Sequence, residues 1–379
     1  MKQGWEIKIL DDVCTFERGL TYAKGDEVNI SSKGVLRSNN VDLSTNTLNF
    51  DEIKYLREDF EIPAKKKVRK NSLLMCISNG SKIHLGKVAL IDDDIDYAFG
   101  GFMGLLIPDE KIIHPRYFYY SLISPMYKSF VKGLSDGANI NNLKFADIKS
   151  FSIAVPPLAE QERIVEILDR EFERIDALKA NAEQNLQHAK DLFQSALKNE
   201  LETIDSCTIK DLYNIRTGKL NSNAAVKDGK YPFFTCSREV FSINDYAFDN
   251  EAILLAGNNA SGDFNVKYYK GKFNAYQRTY VITAKHKETN VRMLYFVLTN
   301  YLTELKKMSL GANTKFLKLG MVEDVKVPIY DEQNIEDVVA RLDKLNERCK
   351  ALEENNKKTI ALCDDMKQAL LRKAFNGEL

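Results

Sequence analysis

The stretch AVPPLAEQERIVEILD, from Ala154 to Asp169, decides the architecture of this chain. It begins in an apolar strand pattern, passes through two prolines, and enters residues 158–203, which contain neither Gly nor Pro. Proline is tolerated before a helix and in its first turn, but not in its interior. The stretch therefore predicts a globule that ends at Pro157 and a long helix that follows it.

A second copy of this arrangement lies near the end of the chain. VKVPIYDEQNIEDVVARLD, from Val325 to Asp343, again leads from a strand pattern through a proline and a Glu-Gln pair into a helix pattern. At one constant spacing, the chain repeats Leu168-Asp169 as Leu342-Asp343, Gly137-Ala138-Asn139 as Gly311-Ala312-Asn313, and Lys144 as Lys318. The duplication predicts a first globule at residues 1–157, a helix at 158–203, a second globule at 204–328 and a second helix at 329–379.

Seven-residue spacing of apolar residues characterises both helices. The spacing is kept by Leu168, Ile175, Ala182, Ala189 and Ala196 in the first, and by Leu342, Cys349, Asn356, Cys363 and Leu370 in the second. Such repeats predict helices that pack along each other, here as an antiparallel coiled coil with pseudo-twofold symmetry. The alternative is two unrelated amphipathic helices that each cover their own globule. Asn356 would weaken the pair but set its register.

The globules show mixed patterns, so we predict an α+β fold with two mixed α/β domains separated by the helices. The predicted strands are Ser72–Ser78, Gly86–Ile91 and Phe102–Pro108 in the first globule, and Glu251–Gly257, Phe264–Tyr269 and Arg278–Thr283 in the second. A helical pattern with aromatic residues on one face follows in each, at Arg116–Ile123 and Arg292–Thr299.

Composition narrows the functional class. The 54 basic and 54 acidic residues balance, but the net charge is +1 for the first globule, −5 for the first helix, +6 for the second globule and −2 for the second helix. Basic globules are suited to meeting nucleic acid. We see no secretion signal and no membrane span, and the six cysteines form no CxxC pair, so we expect a cytoplasmic protein with reduced thiols.

Catalytic motifs are missing from the sequence. We find no GxGxxG after a strand, no GxxxxGK[ST], no HExxH and no GxSxG. The four histidines do not stand at metal-ligand spacing. The sequence therefore predicts no catalytic residue, no metal site and no cofactor of its own.

Each globule leads through VPP-x-x-EQ or VP-x-x-x-EQ into a long helix. The chain also contains the GAN repeat, LRSNNV at Leu36–Val41 and the closing LRKAFNGEL. With these features it resembles the specificity subunit of type I restriction-modification systems. The resemblance covers essentially the whole chain. It implies that each globule is a target recognition domain for one half of a split sequence in double-stranded DNA, and that the helices are a ruler between them. It also implies two modification subunits that use S-adenosylmethionine, and restriction subunits that use ATP and Mg²⁺.

Loop residues with hydrogen-bonding side chains, most of them amide, guanidinium or ammonium groups, are the candidates for DNA contact, because Arg and Lys suit guanine while Asn and Gln suit adenine. In the first globule the predicted residues are Arg37, Asn39, Asn40, Lys82, His84, Lys87, Asn139, Asn141 and Lys144. In the second they are Lys219, Asn221, Asn258, Asn259, Lys267, Tyr276, Gln277, Arg278, Asn313, Lys315 and Lys318. Asn258 and Asn259 could instead serve a turn, and Gln277 and Arg278 could pair within the fold.

Two other functions stay open at this point. The chain could be a coiled-coil adaptor whose globules bind protein, or a nuclease with an unrecognised centre. Salt-dependent, sequence-specific binding to a duplex would separate DNA recognition from the adaptor, and metal-dependent cleavage by the chain alone would establish the nuclease.

Because the sequence carries no catalytic set, we expect the purified chain neither to methylate nor to cut DNA, and a modification partner to create adenine methylation. Incubation with labelled S-adenosylmethionine and duplex DNA measures this. Methyl transfer by the chain on its own would contradict the expectation.

Overall fold

The computed structural model describes residues 4–136, 142–202 and 205–379, and divides the chain into two compact units. Unit 1 comprises Met1–Asn181 with Thr359–Leu379, and unit 2 comprises Ala182–Lys358. Each unit thus contains one globule and a part of both long helices. Each unit therefore joins segments that are far apart in sequence.

The first globule combines short strands and helices, and a long helix follows it. The strands are β1 (Glu6–Ile9), β2 (Cys14–Arg18), β3 (Glu27–Val28), β4 (Lys33–Leu36), β5 (Lys54–Leu56), β6 (Leu73–Cys76), β7 (Val88–Leu90), β8 (Ala98–Phe99), β9 (Met103–Pro108) and β10 (Ser152–Val155). The helices are α1 (Leu10–Val13), α2 (Pro115–Leu122), α3 (Pro125–Asp136), α4 (Phe145–Lys149) and the long α5 (Leu158–Leu201).

The second globule has a similar but not identical order of elements, because α7 alone follows β18 where α2 and α3 follow β9. Its strands are β11 (Ser206–Thr208), β12 (Tyr213–Thr217), β13 (Tyr231–Phe234), β14 (Val240–Ile243), β15 (Phe248–Ala256), β16 (Asn258–Asn259), β17 (Val266–Ala275), β18 (Thr279–Ala284), β19 (Lys315–Phe316) and β20 (Lys326–Pro328). The helices are α6 (Ile209–Leu212), α7 (Val291–Met308), α8 (Leu319–Glu323) and the long α9 (Glu332–Phe375).

The sheets confirm the duplication and the mixed fold. A sheet of order β2-β9-β6-β7 and a second of order β3-β5-β4-β8 form the first globule, and a sheet of order β12-β18-β15-β17-β13-β14 forms the second. β1 pairs with β10 and β11 pairs with β20, both antiparallel, so each globule closes just before its long helix. The six strands predicted from apolar runs overlap β6, β7, β9, β15, β17 and β18, but β17 begins two residues later than predicted, at Val266, and extends to Ala275.

Gln161 explains why the Glu-Gln pair stands at the entry to the first long helix. Its side chain is fully buried. Nε2 donates to the carbonyls of Pro156 (2.8 Å) and Ile112 (3.0 Å), and Oε1 accepts from the backbone N–H of His114 (2.8 Å). One amide therefore fixes the first turn of α5 to the globule. The side chain of Gln333, its counterpart, lies outside the described part of the chain.

In unit 1 α5 and α9 pack antiparallel, and in unit 2 an ion pair joins the same two helices. In unit 1 Lys179 pairs with Asp364 (2.8 Å) and Lys367 with Asp176 (2.5 Å), while in unit 2 Arg341 pairs with Glu200 (3.0 Å). Increasing numbers on α5 thus meet decreasing numbers on α9. The predicted seam is buried at Leu168, Ile175, Ala182 and Ala189 and at Leu342, Cys349 and Cys363.

Asn356 makes a hydrogen bond within its own helix. Its Nδ2 donates to the carbonyl of Leu352, one turn earlier, at 2.8 Å. This bond uses one of the two donor hydrogens of the amide, and the role of Asn356 in setting the register stays a prediction.

A duplicated ion pair joins each globule to a long helix. Arg116 of α2 binds Asp169 (2.6 Å), and Arg292 of α7 binds Asp343 (2.5 Å). The two aspartates are the ones that the sequence repeat places at equivalent positions. The guanidinium of Arg292 also lies 4.6 Å from the ring centres of Tyr268 and Tyr295, a cation–π arrangement.

Replacing Gln161 by Ala should lower the free energy of unfolding by about 1 to 3 kcal/mol, because backbone groups of Ile112, His114 and Pro156 lose their partner. Urea denaturation of the full chain measures this. The control is Gln187→Ala, an exposed glutamine of the same helix that bonds Asp191, for which we expect a change within about 0.5 kcal/mol. Equal effects of the two variants would contradict the anchoring role.

Candidate nucleic-acid interface

In the second globule, three chain segments come together where strands end. β16 pairs with β19, which places Asn259 opposite Lys315, and the N–H of Leu317 donates to the carbonyl of Gly257 (2.9 Å). The N–H of Gly257 in turn donates to the carbonyl of Arg278 (2.9 Å). Backbone hydrogen bonds therefore connect these segments into one row.

A fourth segment extends this row. The N–H of Gln277 donates to the carbonyl of Leu220, and its Nε2 donates to Oδ1 of Asn221, both at 2.9 Å. Gln277, Arg278 and Asn221 are exposed. We call residues 219–221, 257–259, 276–278 and 315–318 the second edge. It gathers the predicted residues Lys219, Asn221, Asn258, Asn259, Tyr276, Gln277, Arg278, Lys315 and Lys318.

The first globule has the equivalent row. Ser78 bridges Asn142, the N–H of Leu143 donates to the carbonyl of Ile77 (2.7 Å), and the N–H of Ile77 donates to the carbonyl of Phe102 (3.0 Å). Leu20 bridges Gly100, as Leu220 bridges Tyr276 in the second globule. We call residues 19–21, 77–79, 100–102 and 142–144 the first edge, which includes the exposed Lys144.

Gly19 in the first edge and Gly218, which directly precedes the second edge, mark the same kind of close approach. A Cβ on Gly19 would lie 1.9 Å from the carbonyl oxygen of Gly100, and a Cβ on Gly218 would lie 1.9 Å from that of Ala275. No side chain fits there. This is the physical reason why the sequence repeats a glycine at these two positions.

Asn79 belongs to the first edge although the sequence analysis did not select it. Its Nδ2 donates to Oγ of Ser38 (2.7 Å), and its Oδ1 accepts from the N–H of Ser81 (2.9 Å). Asn259 accepts from the N–H of Ser261 in the same way at 2.9 Å. The repeated Asn-x-Ser after matching strands is the signal that could have identified it. These turns also show that the amide oxygen of Asn259 serves the loop.

The LRSNNV motif contributes both structural and accessible side chains. Asn40 is fully buried, donates to the carbonyls of Asn49 (2.9 Å) and Glu52 (3.1 Å), and accepts from the N–H of Arg37 (2.8 Å). Asn39 is exposed, and Arg37 is half-buried. Because the side-chain amide of Asn40 is buried and hydrogen-bonded inside the globule, the predicted DNA contact by Asn40 is wrong.

Lysines concentrate in a cleft of about 510 Å³ in the first globule. Its described lining includes Lys82, Lys87, Lys128 and Lys132, and no carboxylate. Lys87 is buried and donates to the carbonyl of Val41 (2.7 Å), and burial lowers its pKa. Burial also lowers the pKa of Lys128. The carboxylates of Asp42 and Asp364 act in the opposite direction on the pKa of Lys87 and of Lys128, respectively, so negative charge near the cleft offsets part of the desolvation of these ammonium groups.

His84 and Lys87, both predicted contacts, lie close to this cleft rather than on the first edge. Burial, followed by the charge of Lys87, lowers the pKa of His84. Because Lys87 is buried and its ammonium group donates to the carbonyl of Val41, this lysine is not available for direct contact with a base. Asn139 and Asn141 lie outside the described residues.

A cleft of about 340 Å³ lies beside the second edge. Arg238 and Asp263 pair across its mouth at 2.6 Å, and Lys306 also lines it. The half-buried Lys267 donates to the carbonyl of Ser237 and to Oδ1 of Asn265, both at 2.5 Å, and burial lowers its pKa. Lys267 thus holds two loops together. Asn313 is exposed in the loop before β19.

Within residues 4–136, 142–202 and 205–379, no group of three or more His, Cys, Asp or Glu side chains could hold a metal ion. The helices of this described part are also too short or too polar to cross a membrane.

The comparison with known protein families also finds a duplication in this chain. The family described as the type I restriction modification DNA specificity domain matches residues 2–188 and again residues 202–362. The chain belongs to this family and carries its domain twice.

Specificity subunits from other organisms are similar to this chain, and the matches cover different shares of their length. The specificity subunit of the type I restriction enzyme EcoDI from Escherichia coli is 39% identical over 171 residues, 45% of this chain and 37% of that subunit. The StySPI specificity subunit of Salmonella potsdam is 25% identical over 100% of this chain and 90% of that subunit. A chain solved in work on complex assembly and conformational transition of the type I R-M system has the same fold, with a TM-score of 0.80, 18% identity, and coverage of 100% of this chain and 99% of that one.

If the second edge reads bases, replacing Gln277 or Arg278 by Ala should relax specificity at positions of one half-site, by about 1 to 3 kcal/mol for each contact. The contrasting variant is Lys318→Ala, which should weaken binding to all sequences and reduce the salt slope by about one. Affinities for duplexes with single base changes measure both. A uniform loss for all three variants, with the recognised motif unchanged, would show that Gln277 and Arg278 are not base readers.

Proposed function

We propose that this chain is the sequence-specific DNA-binding subunit of a type I restriction-modification complex, with one half of a bipartite target read by each edge. One observation carries the proposal: the same hydrogen-bonded row of four segments is built twice, and in each copy three of the segments carry exposed side chains, such as Thr21, Phe102 and Lys144 in the first edge and Asn221, Gln277 and Lys318 in the second. A row fixed by backbone bonds holds its side chains in place, so little ordering is needed when DNA binds.

The chemistry of the edges fits a major groove. Amide and guanidinium groups such as those of Gln277 and Arg278 pair bidentately with adenine or guanine. Phosphate contacts would come from the exposed Lys144 and Lys318 and from the lysine cleft of the first globule, and these contacts position the protein without reading sequence. The second globule, with a net charge of +6, gains more from this attraction than the first, with +1.

The remaining features of the proposal rest on the family. The chain would supply specificity without catalysis in the cytoplasm, and would bind two modification subunits and the restriction subunits. S-adenosylmethionine, ATP and Mg²⁺ would belong to those partners. The names of the relatives, which are specificity subunits of type I restriction enzymes, support this assignment.

The helix pair would set the length of the unread gap between the half-sites. Inserting one heptad into both helices, between Asn181 and Ala182 and between Lys358 and Thr359, preserves the buried seam and adds about 10.5 Å of helix. We expect the gap to lengthen by about three base pairs of 3.4 Å each, with both half-sites unchanged. Methylome sequencing of cells that express the variant with its modification partner measures the gap.

The matched control is the same insertion in only one helix, which shifts the pairing of α5 with α9 by one heptad on one side of the insertion and should abolish methylation. Altered half-sites with an unchanged gap would refute the role of a ruler.

A further inference from the structure

Phe102 is an exposed aromatic side chain in the middle of the first edge. Its relative accessibility is 70%. Its backbone is nevertheless fixed, because the N–H groups of Ile77 and Ser78 donate to its carbonyl at 3.0 and 3.1 Å, and Met103 donates to Gly100 (2.8 Å) to close the turn. A rigid turn therefore presents an apolar ring to solvent between polar segments.

Arg278 occupies the equivalent place in the second edge. Met103 pairs with Cys76 as Thr279 pairs with Ala256, so Phe102 and Arg278 each precede the first paired residue of a matching strand. The carbonyl of Arg278 accepts from Gly257 (2.9 Å), and Thr279 donates to Tyr276 (2.8 Å) to close the same turn. The two globules thus place different chemistry on one framework.

A phenyl ring has no group that can hydrogen-bond to a base edge. The apolar group that base pairs present in the major groove is the 5-methyl of thymine, and covering exposed aromatic surface with a methyl group is favourable in water. The polar neighbours Asn79 and Asn142 favour a nucleic-acid surface over an apolar protein surface. We propose that Phe102 reads a thymine methyl in the half-site of the first globule. This rests on the function proposed above and adds one base contact to it.

The test removes the methyl group and the ring separately. Binding of the full chain is measured on duplexes that carry its methylated motif, with each thymine of the first half-site replaced in turn by deoxyuridine, which pairs identically but lacks the methyl. We expect one position at which wild-type affinity falls roughly fivefold to tenfold, while Phe102→Ala binds the two duplexes equally. Such coupling assigns the contact.

A reciprocal pair sharpens the test. Phe102→Arg should move the preference at that position from thymine towards guanine, and Arg278→Phe should change only the second half-site. The control is the substitution Phe50→Ala, which should leave the motif unchanged. Phe50 is another exposed phenylalanine of the first globule, and its ring centre lies 6.3 Å from that of Tyr97.

Three outcomes would overturn the proposal. One is wild-type binding that no deoxyuridine alters, and another is Phe102→Ala binding that stays as sensitive to deoxyuridine as the wild type. The third is a Phe102→Ala variant that assembles poorly with modification subunits while its motif and affinity are unchanged, which would make Phe102 a protein contact. Equal wild-type affinity for motif and scrambled duplexes would instead refute the proposed function itself.

Discussion

Leu371, Ala374 and Phe375, from the last turns of α9, lie in the same buried cluster as Leu168 of α5 and Tyr117 of α2. In unit 2, Val338, Val339 and Leu342 of α9 share a cluster with Leu197 of α5 and with the core of the second globule. Each core is therefore completed by both long helices. Because these contacts join segments far apart in the chain, antiparallel pairing of α5 with α9 is a condition for either unit to bury its apolar surface.

The edges depend on this arrangement through the anchors between globule and helix. Gln161 fixes the first turn of α5, and the pairs Arg116–Asp169 and Arg292–Asp343 hold α2 and α7 against the long helices. Above that support, backbone hydrogen bonds determine where each edge position lies, and the side chains are free to differ. Phe102 and Arg278 illustrate this division, since their carbonyls accept equivalent bonds while their side chains have nothing in common.

Much of the fold could be predicted because its signals are periodic or repeated. The prolines and Glu-Gln pairs located both helix entries, and the apolar runs located β6, β7, β9, β15, β17 and β18. The site was harder to predict, because loop residues have no periodicity. Asn40 and Lys87 have the polar groups that DNA contact requires, but these groups donate hydrogen bonds to backbone carbonyls inside the globule. Asn79 was missed because insertions break the constant spacing of the repeat in this region, and Phe102 was missed because the candidates were selected for polar groups, which a phenyl ring lacks.

The amino-acid sequence by itself determined the duplication, the two long helices, their seam and the order of elements, because all of these follow from local patterns of apolar, proline and glycine residues. The tertiary structure alone decided which loops form an edge, since hydrogen bonds such as those from Gly257 to Arg278 and from Gln277 to Leu220 connect segments that no local pattern relates. It also decided which polar side chains reach the surface, because burial depends on how the whole chain packs.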